Sequence, residues 1–278
     1  MKWKRSGRLV DMTRYLLLHP HELVSLSFFS DRYQSAKSSI SEDLDIVKET
    51  LETQGGGSLV TVPGAAGGVK FIPLANLEEA RQIIDRLAGQ LEQSERWLPG
   101  GYLYMTDILG SPRYVNDIGR LFASAFAHKS VDVVMTMETK GIPLAYATAS
   151  HLGVPVVIAR RASRVTEGST VSINYVSGSS KRIQSMVLAR RSLTPGSRVL
   201  IIDDFLKAGG TARGMISLLE EFDAVPAGIG VFVEAKEVPK RLVDDYLSLL
   251  ALSAYDEKSR KINVQEGSYF YKEGVKGQ

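Results

Sequence analysis

The sequence predicts an α/β fold in which a parallel-sheet domain follows a smaller N-terminal unit of helices and a hairpin. An apolar run at residues 199–202 leads into Asp203 and Asp204, and Gly209-Gly210 and a helical apolar pattern follow. Strand and helix patterns alternate over residues 131–159, as they do in parallel sheets. The N-terminal quarter instead shows three helical patterns and two short strand patterns.

The composition sets broad limits on function. The chain has 278 residues, of which 44% are hydrophobic and 23% charged, as in globular proteins. It has no cysteine, which excludes disulfides, thiolate metal sites and cysteine nucleophiles and is typical of a cytoplasmic protein. No apolar run is long enough to span a bilayer, so we expect no membrane partner. The net charge is only +3, so any binding to nucleic acid depends on local basic clusters.

A basic cluster opens the chain and consists of Lys2, Lys4, Arg5 and Arg8. A solvated terminus is the simpler explanation of such a cluster, and a phosphate-binding arm is the alternative. Ser6 is the predicted N-cap of a first helix that ends before Pro20. A short second helix is predicted around Phe28, Phe29 and Tyr33.

The third helical pattern is the candidate DNA-reading element. Its apolar stripe repeats at helical spacing through Ile40, Leu44, Val47 and Leu51. The other face begins with short polar side chains, which allow a helix to approach DNA closely. These candidates are Lys37, Ser38, Ser39 and Ser41. Nearby acidic residues such as Asp45 argue against phosphate contact, although a carboxylate can accept a hydrogen bond from cytosine N4.

Two strand patterns follow, at residues 58–62 and 69–72, with a glycine-rich tip at 63–68 between them. Three helices and a hairpin describe a winged helix-turn-helix domain, which we place at residues 1–74, with Lys70 as a further DNA-binding candidate. The alternative is a helical subdomain used for dimerisation. The second domain is placed at residues 75–278.

The strand, acid pair, glycine turn and helix around Asp203 and Asp204 predict a ligand site. Carboxylates accept hydrogen bonds from vicinal hydroxyls, and a helix N-terminus attracts phosphate. Thr211 is the predicted N-cap of that helix. A loop at residues 137–143 ends an earlier strand, so Lys140 is expected at the same edge of the sheet. A ligand that carries a diol beside a phosphate would bind both the acid pair and the helix N-terminus. The alternative interpretation is an ordinary buried strand followed by a turn, with no ligand.

The segment from Asp203 to Thr211 resembles the signature of the type I phosphoribosyltransferases, which bind phosphoribosyl pyrophosphate (PRPP). The resemblance implies that the acids hold the ribose hydroxyls, that residues 207–211 hold the 5′-phosphate and that Thr139, Lys140 and Gly141 hold the pyrophosphate. Residues 165–182 match the position of a mobile flap. The implied effector-binding residues are Tyr102, Thr139, Lys140, Gly141, Arg160, Tyr175, Asp203, Asp204, Phe205, Lys207, Ala208, Gly209, Gly210 and Thr211.

Two departures from the enzymes are visible. Ala208 replaces a threonine that is common just before the two glycines, so one phosphate-facing hydroxyl is absent. Asn174-Tyr175 stands where the adenine-specific enzymes carry an acid near a tyrosine, which puts acid catalysis on the base in doubt. We therefore assign no catalytic residue in this chain, and we assign no metal ligand.

Nearly the whole chain resembles the purine operon repressors of Gram-positive bacteria. The shared stretches include residues 6–11, 36–43, 62–69, 166–175 and the loop after Asp203. The resemblance implies a cytoplasmic homodimer that binds double-stranded operator DNA and is released by PRPP. A guanosine tetraphosphate-type alarmone is a candidate competitor, and the sequence leaves open whether Mg²⁺ accompanies PRPP. The rival interpretations are an active purine phosphoribosyltransferase and an interaction protein that uses the sheet only as a scaffold.

Overall fold

The structure is a computed structural model that describes residues 3–64, 66–98, 102–163, 165–176, 182–253, 263–272 and 275. Within these ranges the predicted α/β fold is confirmed. An N-terminal winged helix-turn-helix unit, here called the head, precedes a domain built on a mainly parallel sheet. In the described part of the chain, no helix is both long and apolar enough to cross a bilayer.

The head contains the predicted helices and hairpin. Its elements are α1 (Arg5–Leu18), α2 (Leu26–Tyr33), α3 (Lys37–Thr53), β1 (Ser58–Val62) and β2 (Gly68–Ile72). The strands pair antiparallel. The predicted stripe of α3, from Ile40 to Leu51, is buried against Met12 and Leu16 of α1 and Phe29 of α2. The head therefore has a hydrophobic core of its own.

The predicted N-cap of the first helix is wrong. Lys4 is the N-cap residue of α1, and its side chain makes no capping hydrogen bond. Ser6 lies inside the first turn. Arg5 and Arg8 therefore both lie within α1, about one turn apart on the same face of the helix.

The sheet domain contains the remaining elements. They are α4 (Leu77–Leu91), β3 (Trp97–Leu98), β4 (Tyr102–Leu103), α5 (Thr106–Leu109), α6 (Pro112–Phe126), β5 (Val133–Met137), α7 (Gly141–Leu152), β6 (Val156–Ala159), β7 (Thr170–Val176), β8 (Ile183–Ala189), β9 (Arg198–Leu206), α8 (Gly210–Glu220), β10 (Val225–Ala235), β11 (Leu247–Leu252) and β12 (Val264–Glu266). The main sheet has the order β12-β11-β10-β9-β5-β6, and only its edge strand β12 runs antiparallel to its neighbour.

Both faces of the main sheet are covered. Leu200 and Ile202 of β9 point into a core shared with α4, α6 and α7. Val199 and Ile201 point to the other face, where they meet α8 and the hairpin β7–β8. This double burial explains why the strand reads as an unbroken apolar run rather than an alternating one.

Three boundaries differ from the sequence predictions, and all three lie at the same edge of the sheet. Strand β9 continues to Leu206, so Asp203 and Asp204 lie within it rather than after it. Helix α8 begins at Gly210 with Gly209 as N-cap, so Thr211 is its second residue and not its cap. Helix α7 begins at Gly141, three residues earlier than expected.

Polar groups lie where the head meets the sheet domain. Just after the head, the Ala75 amide donates to Ser124 Oγ of α6 at 2.7 Å. The His21 ring, between α1 and α2, donates from Nε2 to the main-chain carbonyl of His151, because a carbonyl can only accept. A junction cavity of about 210 Å³ lies beside this contact, and Lys70 of β2 is among its lining residues.

Candidate functional site

The candidate effector site is a cavity of about 350 Å³ at the C-terminal edge of the parallel strands, where α/β sheets bind ligands. It brings together nine of the predicted effector-binding residues. They are Tyr102, Lys140, Asp203, Asp204, Phe205, Lys207, Gly209, Gly210 and Thr211. The signature loop and Lys140 therefore meet in one place, as the sequence predicts.

Two buried carboxylates lie side by side in this cavity. Asp203 is 8% exposed, and its Oδ1 accepts the Asp204 amide at 3.0 Å. Burial raises the pKa of the Asp203 carboxyl well above its usual range, and the charge of Asp204 adds to the effect. Burial also raises the pKa of Asp204, while a hydrogen bond with Asp203 and the charge of Lys140 oppose the rise. Burial deprives the ionised pair of solvation that Lys140 offsets only in part, so hydrogen-bond donors of a ligand would stabilise it.

The loop from Lys207 to Thr211 forms the opposite wall. Gly209 has φ 79°, in the left-handed region that favours glycine. The Ala208 carbonyl accepts the Leu242 amide at 2.9 Å, which fixes the loop against the segment before β11. The first amides of α8 have no partner within the helix, so they remain available to an anion at its positive end. The missing hydroxyl at Ala208 leaves this backbone cradle intact.

The loop before α7 contributes Lys140 to the cavity, whereas Thr139 and Gly141 stand behind it. A Cβ atom built on Gly141 would overlap Thr136 Oγ1 and lie 3.5 Å from Asp203 Oδ1. Glycine at position 141 therefore allows the start of α7 to pack closely against Thr136 of β5, beside the acid pair. The Glu138–Thr139 peptide bond is cis.

Two other predicted residues are not among those that line the cavity. Arg160 pairs with Glu138 at 3.3 Å and Glu167 at 2.8 Å and is not among the cavity-lining residues, so its assignment to the effector is not supported by its position. Tyr175 packs against Gly214 of α8, and its hydroxyl donates to Gln184 at 2.9 Å. Tyr175 thus supports the helix that carries Thr211 rather than lining the cavity.

The sequence analysis missed several apolar residues that line the cavity. They are Leu103, Met105, Leu206, Ala212 and Leu252. Leu252 ends β11, so the rule that parallel strands end at one edge could have found it. Leu103 and Met105 carry no comparable signal, because they reach the cavity only through the course of the chain between α4 and α5.

The raised pKa of Asp203 predicts that binding of a diol ligand, such as the PRPP that the resemblance implies, releases protons. Hydroxyl donors favour the ionised carboxylate, so the pKa falls on binding and affinity rises with pH between the bound and free pKa values. Calorimetry of PRPP binding in two buffers of different ionisation enthalpy, at several pH values, measures the proton count after correction for the titration of PRPP itself. Proton uptake on binding, or affinity that falls with rising pH in this window, would contradict the prediction.

The candidate DNA-binding face lies on α1 and α3 of the head. Lys4, Lys37, Ser38 and Ser41 are exposed, and Ser39 is half-buried. Lys2 lies outside the described residues. Lys70 lines the junction cavity instead, because Val69 and Phe71 on either side of it turn into the head core. Its assignment to DNA is therefore not supported by its position.

The two arginines of the basic cluster have a partner within the head. Asp43 of α3 accepts Arg5 Nε and Arg8 Nε, each at 2.9 Å. The Arg8 side chain is only 14% exposed, whereas that of Arg5 is 54% exposed. Arg8 is thus committed to the head itself, and its assignment as a free phosphate contact is not supported, while Arg5 keeps an open side.

Comparison with known protein families agrees with this division of the chain. Residues 4–73 match the family model described as the N-terminal domain of the bacterial purine repressor. Residues 105–268 match the phosphoribosyl transferase domain. The first match covers the head, and the second covers most of the sheet domain, including the cavity.

Two relatives are similar over nearly the whole chain. The purine biosynthesis transcriptional repressor PurR of Bacillus subtilis (strain 168) is 62% identical over 277 residues, which are 99% of this chain and 97% of that protein. The purine biosynthesis transcriptional activator PurR of Lactococcus lactis subsp. lactis is 48% identical over 267 residues, which are 96% of this chain and 98% of that protein.

A solved structure supports the fold of the sheet domain alone. Adenine phosphoribosyltransferase from Thermoanaerobacter pseudethanolicus aligns with a TM-score of 0.53 and 21% identity over 60% of this chain and 98% of that chain. The fold and its cavity therefore define a winged-helix protein that carries a phosphoribosyltransferase-type domain. The chain belongs to the bacterial purine repressor family.

Proposed function

We propose that this protein is a DNA-binding repressor of purine biosynthesis genes, with PRPP as the inducer. The observation that carries the proposal is the acid pair of β9 facing the loop from Lys207 to Thr211 in a chain that also carries a winged head. The acids suit a ribose diol, and the loop suits its phosphate. Repression rather than activation is favoured by the higher identity to the Bacillus subtilis repressor than to the Lactococcus lactis activator.

The proposed control by PRPP follows from linkage. If PRPP binds the DNA-free protein more tightly, it weakens DNA binding by the same factor. The polyanionic ligand also neutralises positive charge at Lys140 and Lys207. Helix α7 joins the two regions, because a Cβ atom built on Gly141 at its start would lie 3.5 Å from Asp203 Oδ1, and the carbonyl of His151 near its end accepts from His21 of the head. This helix supports a mechanical route from the cavity to the head.

A gel-shift titration tests the proposed function. The purified full chain is mixed with a duplex from a purine-gene promoter at several salt concentrations, with and without PRPP and Mg²⁺. We expect salt-dependent, promoter-preferring binding that PRPP weakens. Equal affinity for promoter and unrelated DNA, or no effect of PRPP on a bound promoter, would refute it. Transcription from the same promoter in vitro then separates repression from activation.

The second candidate function is that of an active purine phosphoribosyltransferase, because the residues that line the cavity resemble the signature of such enzymes. Ala208 and the Asn174-Tyr175 pair favour a protein without transferase activity. Incubation with PRPP and each purine base separates the two. Nucleotide formation would support the enzyme, whereas saturable PRPP binding without product would support the repressor.

The remaining parts of the proposal concern competitors and assembly. A guanosine tetraphosphate-type alarmone is proposed to compete with PRPP, because the cavity combines a phosphate cradle with the aromatic side chains of Tyr102 and Phe205. Displacement of labelled PRPP by this alarmone tests the competition.

A homodimer is proposed because two heads can read two half-sites, and light scattering measures the oligomeric state. The protein would act in the cytoplasm, with its DNA.

Replacing Lys4 with alanine should weaken DNA binding and flatten its salt dependence. Lys4 is exposed at the start of α1, so its ammonium is free to replace counterions at a phosphate. The slope of log affinity against log salt should fall by about 1. Lys37→Ala is the comparison on α3, and an unchanged slope for Lys4→Ala would exclude a phosphate contact there.

A further inference from the structure

The feature that carries a further inference is the carboxylate of Asp43, on the inner side of α3. Asp43 is 1% exposed, although it belongs to the candidate DNA-reading helix. Oδ1 accepts Arg5 Nε at 2.9 Å. Oδ2 accepts Arg8 Nε at 2.9 Å and lies 2.8 Å from Arg8 Nη2. Asp43 is thus closed to DNA, and both of its oxygens hold arginines of α1.

The two arginines have different positions in this cluster. Arg8 is 14% exposed and contacts the carboxylate through two of its nitrogens. Arg5 is 54% exposed and contacts it through Nε. Among the described residues, no hydrogen bond reaches the two terminal nitrogens of Arg5, so its planar pair of Nη donors remains available.

The contact also fixes where those donors stand. Ser39 precedes Asp43 by one helical turn, so it lies on the same side of α3. The Arg5 guanidinium is therefore held on the Ser39 side of α3, near the start of the helix, where Lys37 and Ser38 are exposed. A base edge that reaches Ser39 would also meet Arg5.

We infer that Asp43 is a positioning residue for DNA binding: it holds Arg5 in place on the Ser39 side of the first turns of α3, without touching DNA itself. The inference rests on the proposed function and adds a role that the DNA-facing residues alone do not show. The gain is preorganisation, because a long side chain that is already ordered loses less entropy when DNA arrives.

The inference predicts an effect opposite in sign to simple electrostatics. Asp43→Asn removes a negative charge near DNA, which by charge alone would tighten binding to a polyanion. If Asp43 acts by positioning Arg5, promoter affinity instead falls by about tenfold, the scale of one good guanidinium contact. Affinity for an unrelated duplex of equal length should change little, so the ratio of the two affinities falls.

Asp11→Asn is the matched control. Asp11 lies on α1, is 14% exposed and accepts Arg32 Nε at 2.8 Å and the Tyr33 hydroxyl at 3.0 Å. Its loss removes the same charge and an ion pair within the same head, but it leaves Asp43 and Arg5 in place. We expect Asp11→Asn to retain promoter affinity and the affinity ratio.

The experiment is fluorescence anisotropy of the full chain with a purine-promoter duplex and an unrelated duplex, over a range of salt concentrations. A fall in the ratio for Asp43→Asn alone supports the inference. Equal behaviour of the two variants, whether both retain or both lose affinity, would overturn it. A wild-type chain that does not distinguish the two duplexes would instead count against the proposed function.

A second variant covers the case in which Asp43→Asn unfolds the head, which thermal unfolding reports. Arg5→Lys keeps the charge and leaves the Arg8–Asp43 pair intact, but it lacks the planar guanidinium. We expect it to lose promoter preference while the salt slope stays as in the wild type. An affinity ratio equal to that of the wild type would overturn the inference.

Discussion

Asp203→Ala should abolish saturable PRPP binding and leave DNA binding without PRPP intact. The residue lies in the effector cavity, far along the chain from the head, and its carboxylate is proposed to accept the ribose hydroxyls. Losing a charged hydrogen-bond partner of a buried ligand group costs about 1.5–3 kcal/mol for each bond. Calorimetry with PRPP and a promoter gel shift measure the two properties separately. Loss of promoter binding in the absence of PRPP would contradict this division of labour.

The same variant should be at least as stable as the wild type near neutral pH. Because burial raises the pKa of Asp203, the folded chain carries a carboxyl that is costly to ionise, and this cost grows as the pH rises from the ordinary carboxyl pKa of the unfolded chain to the raised pKa and stays constant above it. Alanine removes the cost. Thermal unfolding at two pH values checks this, and a large fall in melting temperature would indicate a structural role instead. Lys207→Ala should also lose the PRPP response, without the gain in stability.

Gly141→Ala should weaken PRPP binding by about tenfold or more and destabilise the sheet domain by about 1–3 kcal/mol. The added Cβ would overlap Thr136 Oγ1 and press toward Asp203 Oδ1, so the start of α7 has to move. This movement displaces Lys140 from the cavity. PRPP calorimetry and urea unfolding measure the two effects.

Gly89→Ala is the control for this substitution. Gly89 lies in α4, is exposed, and a Cβ atom there would meet nothing within 4 Å. Alanine should raise stability by about 0.4–1 kcal/mol and leave PRPP binding unchanged. If Gly141→Ala behaves like Gly89→Ala, the close packing at the start of α7 does not matter for the site.

The effector site could be predicted in large part from the sequence because its main parts are close together along the chain. The acids, the two glycines and Thr211 lie within ten residues of one another. The exact residues at which β9 ends and α8 begins could not be predicted from the motif. The end of β9 and the start of α8 are set by hydrogen bonds with β10 and by packing of Val243 on Gly209, which are contacts outside the motif.

The sequence by itself determined the two-part organisation, the apolar stripe of α3 and the ligand loop, because helical spacing and strand-end motifs are properties of neighbouring residues. Only the tertiary structure decided which charged side chains remain free. Asp43 and Arg5 are 38 residues apart, Arg160 is held by two acids, and Lys70 turns toward the junction. Such pairings depend on how finished helices and strands dock against each other, and no local pattern encodes that docking.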